Sequence, residues 1–306
     1  EKPTGEIMAG AGTGSSGSTV SFSVKENNYM GKGVKLKSGL AVSNSQVKGS
    51  IIINNPYYKN SDRSLNTTIE SISTDYMDKF GYKSDKTGFS LGTSYEQYDD
   101  IFFSPSISNY YEDLETSSSA SNAKKKQAGS YWETAFSYGF TLNKLNQNFH
   151  PTEGYSHSFR QTLPLYSEDY TLENTYTFSK YHTLENEMIL SAKFFAKAVN
   201  ALADDDARLT KRVYIPSRRL RGFESGKIGP KDSGDFIGGN YGSALNFSTT
   251  LPQLLENSQN LDFSLFLDAA NVWSVDYDSS LDDSKLRSAT GLSMDWYTPI
   301  GPLSFS

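Results

Sequence analysis

Apolar and polar residues alternate with period two along most of the chain, which is the pattern of strands that keep one face apolar. Trp132, Thr134, Phe136, Tyr138, Phe140 and Leu142 fall on one side of a segment, with Glu133, Ala135, Ser137, Gly139 and Thr141 on the other. Leu190, Ala192, Phe194 and Ala196 oppose Ser191, Lys193, Phe195 and Lys197, and Leu261, Phe263, Leu265 and Leu267 oppose Asp262, Ser264, Phe266 and Asp268. Shorter runs are Val20, Phe22 and Val24, then Val34, Leu36 and Leu40 against Lys35 and Lys37. Taken together, the pattern predicts an all-β chain of about fifteen strands, near 5–13, 17–27, 32–43, 45–55, 64–76, 86–97, 98–112, 128–143, 155–165, 170–184, 187–200, 239–251, 260–273, 286–298 and 301–306.

Two arrangements bury such strands, a soluble sandwich and a membrane barrel. Lys35 and Lys37 on one inward face are costly in a packed core and cheap in a wet lumen. The connections after even-numbered strands are mostly short and turn-like, as at Asn55-Pro56 and Asp99-Asp100. Several of the others are long and polar: 113–127, 201–238 and 274–285. Short turns on one side and longer loops on the other are the habit of outer-membrane barrels, so the barrel is favoured. The short turns at 55–58, 143–154 and 298–302 are then expected at one end, with loop 201–238 at the other. Trp132, Phe136, Phe140, Leu261, Phe263 and Leu265 are expected to face lipid.

Composition agrees without deciding. The 306 residues include 20 Tyr, 18 Phe and 24 Gly, with only 36 % hydrophobic residues. No apolar run approaches the ~20 residues of a spanning helix, and no signal peptide is visible, since Glu1-Lys2-Pro3 has no apolar stretch behind it, so a mature fragment or a processed chain is expected. With no cysteine, disulfide scaffolds, thiolate metal sites and thiol nucleophiles are excluded. A net charge of −6 argues against nucleic acid as a partner.

Candidate chemistry is sparse. Gly10, Gly12 and Gly14 imitate a phosphate-cradling loop, but no G-x-x-x-x-G-K-[ST] follows, and a strand is the expected structure. His150, His157 and His182 have no metal-ligand spacing. There is no G-x-S-x-G elbow, so no catalysis, cofactor or metal is expected. Asp204-Asp205-Asp206 and Asp282-Asp283 are expected to be solvated loop tips, with a divalent cation as the alternative. Lys124-Lys125-Lys126 lies in a Ser-rich loop and is expected to be mobile, with lipid phosphate as the alternative contact.

Inside the longest loop stand Arg218-Arg219-Leu220-Arg221-Gly222-Phe223 and then Ile228-Gly229-Pro230-Lys231. Other segments follow in order: Asn28-Tyr29-Met30-Gly31-Lys32-Gly33, Asn55-Pro56-Tyr57-Tyr58, Asn143-Lys144-Leu145 through Pro151-Thr152-Glu153-Gly154, Asp268 with Val272-Trp273, and Trp296 through Pro299-Ile300-Gly301-Pro302-Leu303. In these six segments the chain resembles the barrel domain of the BamA family of outer-membrane insertases.

The resemblance implies a transmembrane antiparallel barrel over 1–306, sixteen-stranded in the family, with about fifteen strands present here. The closing strand would lie beyond Ser304-Phe305-Ser306, and truncation or disorder is the expected reason for its absence. It further implies a lateral gate whose first strand is carried by Gly5, Glu6, Ile7, Met8, Ala9, Gly10, Ala11 and Gly12. The loop motif Leu220, Arg221, Gly222, Phe223, Ile228, Gly229 and Pro230 is expected to fold into the lumen, with Arg221 on Asp268. A second family acid falls here on Asn246, leaving one ion pair and an amide, and Phe223 is expected to shield that pair. Implied partners are unfolded outer-membrane proteins as substrates, the lipid bilayer with its lipopolysaccharide, and accessory assembly lipoproteins reached through periplasmic POTRA domains that this sequence lacks. A TamA-like assembly factor or a two-partner secretion transporter is the alternative within the family, and a passive porin is the alternative outside it.

Overall fold

A computed structural model describes residues 4–14, 17–184, 188–202, 206–252, 260–298 and 301–306. Fifteen staves run antiparallel in chain order. They are β1 (Gly5–Gly14), β2 (Gly17–Tyr29), β3 (Val34–Ser43), β4 (Gln46–Asn55), β5 (Ser64–Tyr76) and β6 (Tyr82–Tyr98). Next come β7 in two pieces (Ile101–Phe103 and Ser106–Thr116), β8 (Gly129–Leu145), β9 (Gly154–Ser167), β10 (Thr171–Thr183) and β11 (Ile189–Ala201). The last are β12 (Tyr241–Thr250), β13 (Leu261–Trp273), β14 (Arg287–Thr298) and β15 (Gly301–Phe305). The sheet path begins at β1 and ends at β15, and among the described residues no rung joins those two strands.

Register explains which residues see lipid. Ile7 pairs with Val24 and Ala9 with Phe22, and Leu40 continues the same row from Phe22. Ile7, Val20, Phe22, Val24, Leu40, Ile51, Ile53, Leu265 and Leu267 are all solvent-exposed in the isolated chain. An apolar belt of that extent needs a lipid or protein cover, and the staves have the length of tilted membrane strands. Trp132, Phe140 and Leu265 are exposed and Phe136, Leu261 and Phe263 half-buried, each set lying on one face of its strand. Among the described residues no helix is long and apolar enough to cross a membrane.

Two departures from the expected strands have local causes. β6 begins at Tyr82, not near 86. Its outermost turn points Tyr82 and Ser84 into the lumen, both nearly buried, while Lys83 and Asp85 stand outside, so the apolar signal vanishes at the rim. β7 breaks at Ser104-Pro105, because proline has no N–H for the ladder. Pairing persists around the break, with the Ser104 N–H donating to the Gly139 carbonyl at 2.9 Å and the Pro105 carbonyl accepting from the Thr93 N–H at 3.0 Å.

The turns after even-numbered strands, as at 55–58 and 143–154, share one end, since the strands alternate direction; Pro299 and Ile300 of the 298–302 turn lie outside the described residues. At the other end stand loop 202–240 and two short helices, α1 (Met77–Phe80) and α2 (Asn122–Lys126). The core lies inside the barrel, under that end. Loop residues Ala207, Val213, Ile215, Leu220 and Ile228 pack on Phe195, Val199, Ala244, Ala270 and Val272 of β11 to β13. Leu209 and Ile237 of the same loop meet Phe80, Tyr82, Leu114 and Val275. The long loop is therefore the hydrophobic filling of the lumen.

A nitroxide at position 265 is expected to be relaxed more by dissolved oxygen than by a water-soluble nickel chelate, with the reverse at position 264. Equal behaviour at the two sites would contradict the lipid-facing register.

Candidate functional site

Loop 202–240 is tied to two walls of the barrel. At its tip, Arg221 meets Asp268 of β13, whose side chain is fully buried. Arg221 donates from Nε to Oδ2 at 2.8 Å and from Nη2 to Oδ1 at 2.7 Å, and its backbone N–H adds a third bond to Oδ2 at 3.0 Å. A guanidinium fork holds a carboxylate in this bidentate way. Asn246 of β12, directly opposite Asp268 in the ladder, donates from Nδ2 to Asp268 Oδ1 at 2.8 Å and to the Arg219 carbonyl at 2.9 Å. The amide thus completes the carboxylate's shell and grips the loop backbone, a task a second acid at this position cannot perform.

The surrounding motif residues have separable tasks. Gly222 has φ +82° and Gly229 φ +94°, the left-handed region where side chains are strained. A Cβ on Gly229 would also lie 2.8 Å from that of Val272, so this glycine lets the loop lie against β13. Leu220, Ile228 and Pro230 are buried, and Phe223 packs beside them. The ring over the Arg221 guanidinium is Phe266 of β13, 3.8 Å away. Phe223, expected to shield the pair from water, packs on the apolar cluster and lines one cavity with Arg221.

The second anchor was not anticipated. Arg208, 2 % exposed, reaches Glu112 of β7 at 3.0 Å, Glu133 of β8 at 2.8 Å and Asp169 of the β9–β10 turn. Lys211 adds bonds to Glu133 at 2.7 Å and Thr171 at 2.6 Å. Arg212 pairs with Asp276, which also accepts from the Ala207 N–H at 2.7 Å and from Asn240 at 2.9 Å. Lys124 is completely buried and bonds to Asp235 at 2.6 Å, so α2 is docked on the loop; the expectation of a mobile tip at this lysine fails. Its neighbour Ser121 caps α2 and donates to Asp232. Alternation had already placed Glu133 inward; the missing signal was the basic triplet Arg208, Lys211 and Arg212. Asp204 and Asp205 lie outside the described residues.

The gate-strand candidates Gly5, Glu6, Ile7, Met8, Ala9, Gly10, Ala11 and Gly12 all sit on β1 and are exposed. Glu6 accepts from Asn27 at 2.7 Å and lies 3.7 Å from Lys25. The edge of β1 away from β2 has no partner among the described residues. These residues are nowhere near the loop clamp in the sheet order, which sets Asp268 at β13.

With this geometry in hand, the comparisons with known proteins are specific. The model of the Omp85 superfamily domain matches residues 28–306. This chain belongs to the Omp85 superfamily. It is 25 % identical over 320 residues to the outer membrane protein assembly factor BamA of Nitratidesulfovibrio vulgaris, covering 100 % of this chain and 39 % of that protein. The same protein of Neorickettsia risticii is 25 % identical over 328 residues, with 99 % and 42 % covered. A human sorting and assembly machinery component 50 homolog is 25 % identical over 147 residues, with 44 % and 30 % covered. The chain therefore spans about two fifths of the length of these BamA relatives. Among solved structures, BamA from Haemophilus ducreyi lacking POTRA domains 1–3 superposes with a TM-score of 0.89 at 22 % identity, covering 100 % of this chain and 66 % of that one. CdiB from Acinetobacter baumannii gives 0.56 at 11 % identity, with 96 % and 53 % covered. The Omp85 barrel fold is shared with both, far more closely with the first.

Because Asp268 is fully buried, Arg221→Ala and Asp268→Ala are each expected to cost about 3–5 kcal/mol of stability. The double variant should be little worse than either; additive losses in a denaturation cycle would contradict a clamp acting as one unit.

The two loop-end carboxyls are expected to behave oppositely. Burial pushes Asp169 above its ordinary value, despite Lys211 and Arg208. Its share of stability is therefore present in acid and lost as pH rises through the raised value. Burial also works to raise Asp276, but the Arg212 charge and the Ala207 N–H prevail and hold it below 3.8. Its share is present above 3.8 and lost as pH falls through the lowered value. Asp276→Asn should thus cost more than Asp169→Asn at neutral pH, with the difference shrinking in acid. The opposite order of melting temperatures would contradict this assignment.

Proposed function

We propose that this chain is the membrane barrel of an outer-membrane protein assembly factor, which helps other barrel proteins fold into the bacterial outer membrane. The observation carrying this reading is the braced, loop-filled lumen, with Arg221 on Asp268 and Arg208 on Glu112 and Glu133. The chain's similarity to BamA over its whole length points the same way. A porin needs an open lumen, and here the loop packs into it. Export through the lumen would require both charged anchors to come apart.

The mechanism is β-augmentation. Backbone N–H and C=O groups in lipid cost several kcal/mol each when unpaired, so an open β1 edge is a high-energy template. An incoming strand satisfies those groups and is stabilised in the act. Ala9, Gly10, Ala11 and Gly12 put little side-chain bulk on this edge, and glycine weakens a strand's hold on its neighbour. The clamped loop keeps β7–β8 and β12–β13 in place while the seam opens. No covalent chemistry is involved. Unfolded barrel precursors would be the substrates, lipid and lipopolysaccharide the surroundings, and accessory lipoproteins would attach through periplasmic domains.

A photo-crosslinker at Met8 is expected to capture a folding barrel precursor in membranes, while one at Ala41 in β3 should capture none. Arg221→Ala should slow precursor assembly without abolishing capture at Met8. Capture at Ala41 equal to that at Met8 would defeat the edge mechanism.

A further inference from the structure

Two amides interrupt the apolar belt on β9 and β10. The lipid-facing row of β9, which pairs with Phe136, Tyr138 and Phe140 of β8, runs Tyr155, His157, Phe159, Gln161 and Leu163. Tyr155 and Tyr166, exposed near the two ends of β9, stand where aromatic girdles mark the membrane surfaces. Gln161 therefore lies midway through the lipid. Its ladder partner on β10 is Asn174, and both amides are half-buried, so they reach the surface. Gln161 Oε1 accepts from the Tyr138 hydroxyl at 2.7 Å, and Nε2 donates to Asn174 Oδ1 at 2.6 Å. Among the described residues Asn174 Nδ2 donates to nothing. An amide has two donor hydrogens and two acceptor lone pairs, so donors on both nitrogens and a lone pair on each oxygen are left over. Hydrocarbon supplies no partner for such groups, and neither the clamp nor the edge mechanism uses them.

Lipid headgroups lie beyond the girdles, and a spanning helix has its backbone groups engaged in its own hydrogen bonds. What fits is a membrane-embedded surface with both donors and acceptors at this depth. A second copy of this chain has one by construction, because two copies in one membrane, equally oriented, carry identical residues at identical depths. We propose that the β9–β10 face is the interface of a two-fold dimer of this chain, with its axis along the membrane normal between those strands. That axis sets Asn174 of one copy against Gln161 of the other, so Nδ2 donates to the opposing Oε1, twice. An isologous contact requires this self-complementarity. Ala198 pairs with Asn174 from β11, and Ala196 follows on the same face; small side chains let two surfaces approach closely in a membrane. β9 and β10 are remote from β1 and β15 in the sheet order, so both ends of the sheet stay free in each copy. The inference does not depend on the proposed role in assembly.

Resonance energy transfer between donor-labelled and acceptor-labelled copies in phosphatidylcholine vesicles tests this. The chain has no cysteine, so Ser118→Cys, in an exposed loop, carries the dye. Transfer is expected to exceed chance proximity as the protein is diluted with lipid. Gln161→Leu combined with Asn174→Leu is expected to weaken association at least about tenfold, with a melting temperature no lower than that of the intact chain. In a separate set without dye, Leu172→Cys, one step from Asn174 on the same face, is expected to form a disulfide between copies, and Leu40→Cys on β3 none. Transfer no greater than chance for the intact chain, undiminished association of the double variant, or equal cross-linking at positions 40 and 172 would overturn the dimer.

Discussion

Charge taken out of water inside the lumen sets the shape of this molecule. Arg208 and Arg221 stand thirteen residues apart in one loop, and each is paired with acids on a different wall: Glu112 and Glu133 on β7 and β8, Asp268 on β13. Ion pairs this well shielded gain little over an apolar core. Separating them is what costs, because each half strands a buried charge. The loop is thereby committed to one position across the barrel. Its apolar side chains then fill the space between the anchors, and Asn246, Gly229 and Phe266 are selected by how close the loop tip comes to β12 and β13.

That commitment is uneven around the sheet. The braces fall on β7 to β13, and none of the described loop ion pairs reaches β1 to β5. A barrel held rigid on one side and lightly held on the other concentrates any opening at the strands with the fewest constraints. Among the described residues β1 pairs with β2, and its Ala9, Gly10, Ala11 and Gly12 are small and exposed. The loop's ion pairs stiffen one arc, and the proposed template strand lies outside it.

Much of this was legible in the residues. Alternation identified the staves wherever lipid faces one side and lumen the other, and it turned Glu133 and Asp268 inward before any coordinates. It failed at the rim, where Lys83 and Asp85 leave the lipid belt and the apolar half of the pattern disappears. The Arg221–Asp268 contact followed from a motif, not from periodicity. Arg208, Lys211, Arg212 and Lys124 were missed for a physical reason: a basic residue in a long polar loop has no local signature telling whether it is solvated or buried. Only the tertiary course of the loop decides that. The role of Asn246 was half visible, as a lost acid, while its bond to the Arg219 carbonyl depends on a backbone position that composition does not encode. The placing of the Phe266 ring over the guanidinium has the same origin.

Amide hydrogen exchange, followed strand by strand in the intact protein and in Arg221→Ala, addresses the central claim most directly. The braced-lumen account expects β12 and β13 to exchange slowly and β1 quickly in the intact protein. In the variant, protection should fall in β12, β13 and the loop around Leu220, while β1 stays fast. Protection of β1 equal to that of β13 in the intact protein, or unchanged protection of the loop on losing Arg221, would contradict it.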